Sequence, residues 1–149
     1  DLHVGTLSKA FGALGGFIAG SARWCDWMVN RGRAQVYSTA LPLPVVAAAR
    51  AALRVASEEP EHRQRVWRHV SRVSSALGLP ASSPVFSWVL GTPQGALDAS
   101  RELLRAHLHV TAIRPPTVPE GTSRLRLTLS AAHRDEDVDA LIEALVTRL

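Results

Sequence analysis

The sequence predicts an α/β chain in two parts, an α/β first part over residues 1–56 and an α+β domain with an antiparallel sheet over 57–149. Three observations carry this. Strand-like stretches flank a glycine-rich loop near the start, "GTLSKAFGALGG". The acidic, proline-bearing "SEEPEH" at Ser57–His62 interrupts the pattern and suits the first turn of a new helix. Beyond it, 3.6-residue and two-residue periodicities follow one another as α-β-α-β-β-α, the order of a small α+β unit.

Taken in order, residues 1–8 read as a short strand running into a loop. The small residues of "FGALGGFIAGS" let backbone approach backbone or a ligand closely. Phe17–Ala19 reads as a strand, and residues 22–32 as a helix ending near Gly32. "VYSTALPLP" is extended and broken by Pro42 and Pro44. Val45–Ala56 is alanine-rich and favours helix. The next helix carries Val66, Val70, Val73 and Leu77 on one stripe, with the arginines of "HRQRVWRHVSR" mostly off it, as on a solvated face. It stops at Gly78 and Pro80. "PVFSWVLG" is a strand, and residues 94–108 are a helix with Leu97, Leu104 and Leu108 on one face. "HVTAI" is a strand, "RPPTVPEGT" a loop, and "SRLRLTL" a strand with Leu125, Leu127 and Leu129 on one side. The last helix places Val138, Leu141, Ile142, Leu145, Val146 and Leu149 on one face, with Asp135, Glu136 and Asp137 at its N-terminus, where the dipole favours them.

Composition narrows the function classes. The apolar fraction is 46% and the charged fraction 20%, as in an ordinary globular protein. No apolar run approaches the roughly 18 residues of a membrane span. The single cysteine, Cys25, excludes an internal disulfide framework and points to a reducing compartment, by default the cytoplasm. The net charge of +4 is spread along the chain without a basic tail or nucleic-acid motif. The chain opens on Asp1, within what reads as a strand already in progress, so it is expected to be a piece of a longer protein.

The chemical outlier is Lys9. Of 17 basic side chains it alone is a lysine. Arginine serves charge and solubility equally well, but its delocalised, permanently protonated guanidinium does not condense with an aldehyde. A lysine amine does so once it is neutral, a form that only about one in 10³ exposed lysines holds at pH 7. Thr6 and Ser8 just before it offer hydroxyls to a phosphate, and the small residues after it leave room for a planar ring. A P-loop fits poorly, since Ser8 stands where its pattern needs glycine. On residues alone, Schiff-base chemistry and an incidental lysine in an arginine-biased sequence both stand.

"GTLSKAFGALGGFIAGS" resembles the cofactor-lysine segment of the α-oxoamine synthase group of pyridoxal-phosphate enzymes, and "YSTALPLPVVAAARAAL" resembles the segment that follows it there. "VTAIRPPTVPEGTSRLRLTLSAAH" is similar within that group to the 8-amino-7-oxononanoate synthase family of biotin biosynthesis. The resemblance spans Asp1–His133, the C-terminal part of a fold-type I pyridoxal-phosphate transferase. It makes residues 1–56 the end of the cofactor-binding large domain and residues 57–149 the small C-terminal domain. It implies pyridoxal 5'-phosphate as cofactor and Lys9 as the lysine that holds it and later moves protons at the substrate α-carbon. It implies Thr6 as a phosphate contact, and Ser38 and Thr39 as a hydroxyl pair near the phosphate of a partner subunit in a homodimer. Arg114 becomes the carboxylate-binding arginine, with Thr117 assisting. Without the resemblance, Ser38 and Thr39 are equally turn caps, and Arg114 reads first as a surface arginine on a proline loop. Pro115 does hold Arg114 extended, which suits a bidentate grip.

The implied reaction condenses L-alanine with a pimeloyl thioester of coenzyme A or a carrier protein, with loss of the thiol and CO₂. The family's ring-stacking residue, its aspartate on the ring nitrogen and a histidine on the ring hydroxyl all precede the lysine segment, so this chain alone is expected to be inactive or nearly so. The alternatives are another α-oxoamine synthase (glycine C-acetyltransferase, 5-aminolevulinate synthase or a serine palmitoyltransferase type) and a non-catalytic remnant.

Overall fold

A computed structural model describes residues 1–148. The chain divides into two compact units, Asp1–Pro60 and Glu61–Leu149.

In the first unit, strands β1 (His3–Thr6) and β2 (Gly16–Ala19) form an antiparallel hairpin in which Val4 pairs with Ile18 and Thr6 with Gly16. Helix α1 (Ala22–Arg31) follows Ser21, a one-turn helix α2 (Arg33–Val36) follows Gly32, and α3 runs over Leu43–Glu58. The turn α2 occupies residues 33–35, which the sequence pattern leaves unassigned, and Val36, which it reads as extended. Pro42 and Pro44 do not keep the chain extended beyond Leu43. Both stand at the start of α3, where a missing N–H costs no helical bond. The helix runs through Ser57 and Glu58 and ends at Glu59, beyond the break expected at residue 56. Ala49 is the one buried apolar residue of this unit among the described residues, while Val4, Phe17, Ile18, Trp24, Trp27 and Leu43 are all exposed.

The second unit is built around a three-stranded antiparallel sheet with β5 (Ser123–Thr128) between β3 (Val85–Gly91) and β4 (Thr111–Ile113). Helices α4 (Pro60–Leu77), α5 (Pro93–Arg105) and α6 (Asp135–Arg148) complete the expected α-β-α-β-β-α order. Alternation in β5 sends Leu125 and Leu127 into the core, where Leu129 joins them just past its end. They meet Val70 and Val73 of α4, Phe86 of β3, Leu103 of α5 and Val138 and Leu145 of α6. Burying each such leucine is worth about 1.5–3 kcal/mol. Thr92 caps α5, accepting the Gly95 N–H at 3.0 Å ahead of Pro93.

Two expected helix faces are placed differently. In α5 the buried stripe is Ala96, Ala99 and Leu103, not Leu97, Leu104 and Leu108; Leu104 is 57% exposed and Leu108 lies past the helix end. In α6 Val138, Ala144 and Leu145 are buried, while Val146 faces outward; Leu149 lies outside the described residues. The basic side chains of α4 also do more than meet solvent. Arg65, His69 and Arg72, spaced four and three apart, lie on one helix face. Arg65 donates to Ala131 O at 3.3 Å, and Arg72 pairs with Asp135 at 3.0 Å and also with Asp139. His69, 1% exposed, lies with Nδ1 3.4 Å from Ser130 O. Its Nε2 is 3.3 Å from Asp135, close enough for an ion pair but misaligned for a hydrogen bond. At the start of α6, Asp137 accepts the backbone N–H of Arg134 at 2.9 Å and its guanidinium at 2.9 and 3.2 Å. The side-chain and backbone hydrogen bonds from Arg134 hold the Asp137 carboxyl down at about 2. In return the hydrogen bond to Asp137 raises the Arg134 guanidinium above its ordinary value. Among the described residues no helix is long and apolar enough to cross a membrane.

Candidate functional site

The loop joining β1 to β2 is closed by its own backbone. Leu7 N–H donates to Gly15 O at 2.9 Å, Ala13 N–H to Leu7 O at 2.8 Å, and Gly12 N–H to Lys9 O at 3.0 Å. The last bond makes Lys9 the first residue of a tight turn, where its side chain is exposed. Gly15 takes φ 106°, a backbone that side chains rarely adopt, and a Cβ there would lie 2.8 Å from Leu41. The segment after α2 therefore passes close beside this loop.

Thr6 and Ser8 meet on the same loop. Their hydroxyl oxygens are 2.8 Å apart, Ser8 N–H donates to Thr6 Oγ1 at 3.2 Å, and Thr6 Oγ1 donates to Gly15 O at 3.3 Å. Lys9 makes no ion pair among the described residues. Two hydroxyls and a primary amine within four residues of one loop are the donor set that a phosphorylated aldehyde requires: donors for its phosphate and a nucleophile for its carbonyl. The residues present thus fit pyridoxal phosphate.

Ser38 and Thr39 follow α2 in the same unit. Ser38 Oγ donates to Gln35 O at 3.2 Å, a local turn bond, and both residues are exposed. No hydrogen bond joins either to Thr6 or Lys9 among the described residues. An apolar cleft of this unit is lined by Gly5, Phe17, Ile18, Cys25 and Met28, and by none of the candidate site residues.

Arg114 and Thr117 belong to the second unit, at the end of β4. Thr117 N–H donates to Arg114 O at 3.0 Å across a turn whose Pro115–Pro116 peptide is cis, so the two exposed residues are the clasped ends of one turn. The structure also draws attention to Arg124 and Arg126, which the sequence reading passed over. Both lie on the face of β5 opposite the core, and Ile113, next to Arg114, pairs with Arg124. Their signal was the R-L-R-L alternation itself, in which the leucines announced the strand and the arginines marked its other face.

A model of the aminotransferase class I and II family matches residues 1–145. The chain belongs to that family. An 8-amino-7-oxononanoate synthase of Arabidopsis thaliana is 52% identical over 145 residues, covering 97% of this chain and 30% of that protein. Serine palmitoyltransferase of Sphingomonas wittichii superposes with a TM-score of 0.88 at 30% identity, over 95% of this chain and 38% of its own. A serine palmitoyltransferase from S. paucimobilis, holding a PLP–myriocin aldimine, superposes with a TM-score of 0.87 at 26% identity, over the same shares. The chain therefore spans about a third of the length of these aminotransferase class I and II relatives. The fold is that of a C-terminal part of the fold-type I pyridoxal-phosphate enzymes, as the sequence led us to expect.

Proposed function

We propose that the chain is the C-terminal part of a pyridoxal-phosphate-dependent C-acyltransferase that joins L-alanine to a pimeloyl thioester, giving 8-amino-7-oxononanoate, CO₂ and the free thiol. The observation that carries the reading is the Thr6–Ser8–Lys9 turn, a phosphate-ready hydroxyl pair beside the chain's one lysine. The 52% identity to the plant synthase supports the choice of substrates.

In this reading Lys9 supplies the amine that holds the cofactor aldehyde, and afterwards takes and returns a proton at the amino acid α-carbon. Thr6 donates to the phosphate. Arg114 grips the amino acid carboxylate from its proline-stiffened turn, and Thr117 assists from the other end of that turn. When bound, pyridoxal phosphate supplies the electron sink for negative charge at the α-carbon. Ser38 and Thr39 face the phosphate of a partner subunit in a homodimer, which works in the cytoplasm. In this reading the 149 residues alone are inactive or nearly so.

The test is borohydride reduction of the full-length enzyme with pyridoxal phosphate, followed by peptide mapping, and assay of alanine, glycine and serine with pimeloyl thioester. The cofactor mass on Lys9 and turnover with alanine are expected; a label elsewhere overturns the reading. The serine palmitoyltransferase superposition favours a second reading, a serine-using member of the same group, for which serine would be the productive amino acid.

A further inference from the structure

We propose that Arg124 binds a second carboxylate, the one at the far end of the acyl substrate, and thereby selects acyl thioesters that terminate in an acid. This deepens the function proposed above and rests on it.

Within the second unit, the helices cover only one face of the sheet, the one carrying Phe86, Leu125 and Leu127. On the other face the central strand presents Arg124, Arg126 and Thr128, flanked by Val85, Ser87 and Val89 of β3 and by Thr111 and Ile113 of β4. No aspartate or glutamate stands among these strand positions. Elsewhere in this unit Arg72, Arg101, Arg105 and Arg134 each pair with an acid. Arg114, Arg124 and Arg126 have no ion pair among the described residues. Arg124 and Arg126 on one face with no counter-charge there make a positive field whose natural occupant is an anion.

Arg124 is the one of the three whose side chain is already held. Its Nε donates to Thr122 O at 2.9 Å, and it is half-buried. That bond fixes the plane of the guanidinium and leaves both terminal nitrogens for a bidentate partner. Its cross-strand neighbours are Val89 and Ile113, two apolar side chains beside which a methylene chain loses contact with water. Ile113 leads directly into Arg114. An acyl chain lying along this face passes Val89 or Ile113 and meets Arg124 with its own terminal carboxylate. Arg126, one pair further along, adds to the same field.

The test compares pimeloyl and heptanoyl thioesters with alanine in the full-length holoenzyme. The two acyl chains are equal in length, and only the first ends in a carboxylate. Wild type is expected to show a KM lower by roughly 10- to 100-fold for the pimeloyl thioester, the worth of one hydrogen-bonded ion pair. Arg124→Met collapses that preference and Arg124→Lys keeps part of it, whereas a merely structural role would move both substrates alike. Arg124→Gln, a milder change, serves if the methionine variant does not fold. A wild type indifferent to the terminal carboxylate, or an Arg124→Met enzyme with its preference intact, overturns the proposal. Failure to use either thioester overturns the function on which it rests, and the proposal with it.

Discussion

Thr6 Oγ1 has a full set of local partners. It accepts from Ser8 N–H and reaches Gly15 O with its own proton, at the long distance of 3.3 Å. A phosphate oxygen is a stronger acceptor than that carbonyl, so the proton is expected to turn to it. Thr6→Val should therefore raise the dissociation constant for pyridoxal phosphate roughly 10- to 100-fold, read by absorbance titration. Asp137 offers a pH test. Its folded value of about 2 lies below the ordinary carboxylate range, so the stability it confers is complete above about pH 4 and is lost as pH falls through 2. In urea unfolding between pH 4 and 2, Asp137→Asn should lose less stability than wild type. Of the candidate residues, Lys9 was legible in the sequence because it is chemically unlike every other basic side chain. Arg124 and Arg126 were not, since arginine on a strand looks the same whether it faces solvent or a ligand.

Elements were legible where one face is strongly apolar. The leucines of β5 and the valines of α4 fell where alternation and helical period put them. In α5 two adjacent leucines left the phase ambiguous, and the small Ala96 and Ala99 decided it by letting the helix approach the sheet. The stripe Arg65–His69–Arg72 could be drawn from spacing alone, but its partners lie about 60 residues on, beyond the reach of any local pattern. The energies differ accordingly. Leu125→Ala should cost about 2–5 kcal/mol through the cavity it leaves. Arg72→Ala should cost no more than about 1 kcal/mol, because both of its acid partners are exposed. Denaturant midpoints of the two variants check this order. In the hairpin, a Cβ on Gly16 would sit 2.7 Å from Gly5 O. Gly16→Ala should thus part β1 from β2 and weaken cofactor incorporation at Lys9.

At the scale of the molecule, the two units are held very differently. Nearly every buried apolar residue lies beyond Pro60, while Phe17, Trp24, Trp27 and Tyr37 of the first unit are exposed. Hydrogen exchange on the 149-residue chain should show strong protection in β3, β5 and α5 and rapid exchange in β1 and β2. The sequence foretold the α/β class and the order of elements, because periodicity is local. It did not foretell the poverty of the first unit's core, because Trp24, Phe17 and Leu43 read as core residues wherever they stand. The exposed turn at Lys9 has a practical consequence. Among these 149 residues a protease that cleaves only after lysine finds a single place to cut, directly after Lys9. Occupancy of that amine can therefore be followed as a footprint, by the rate of cleavage at that one bond.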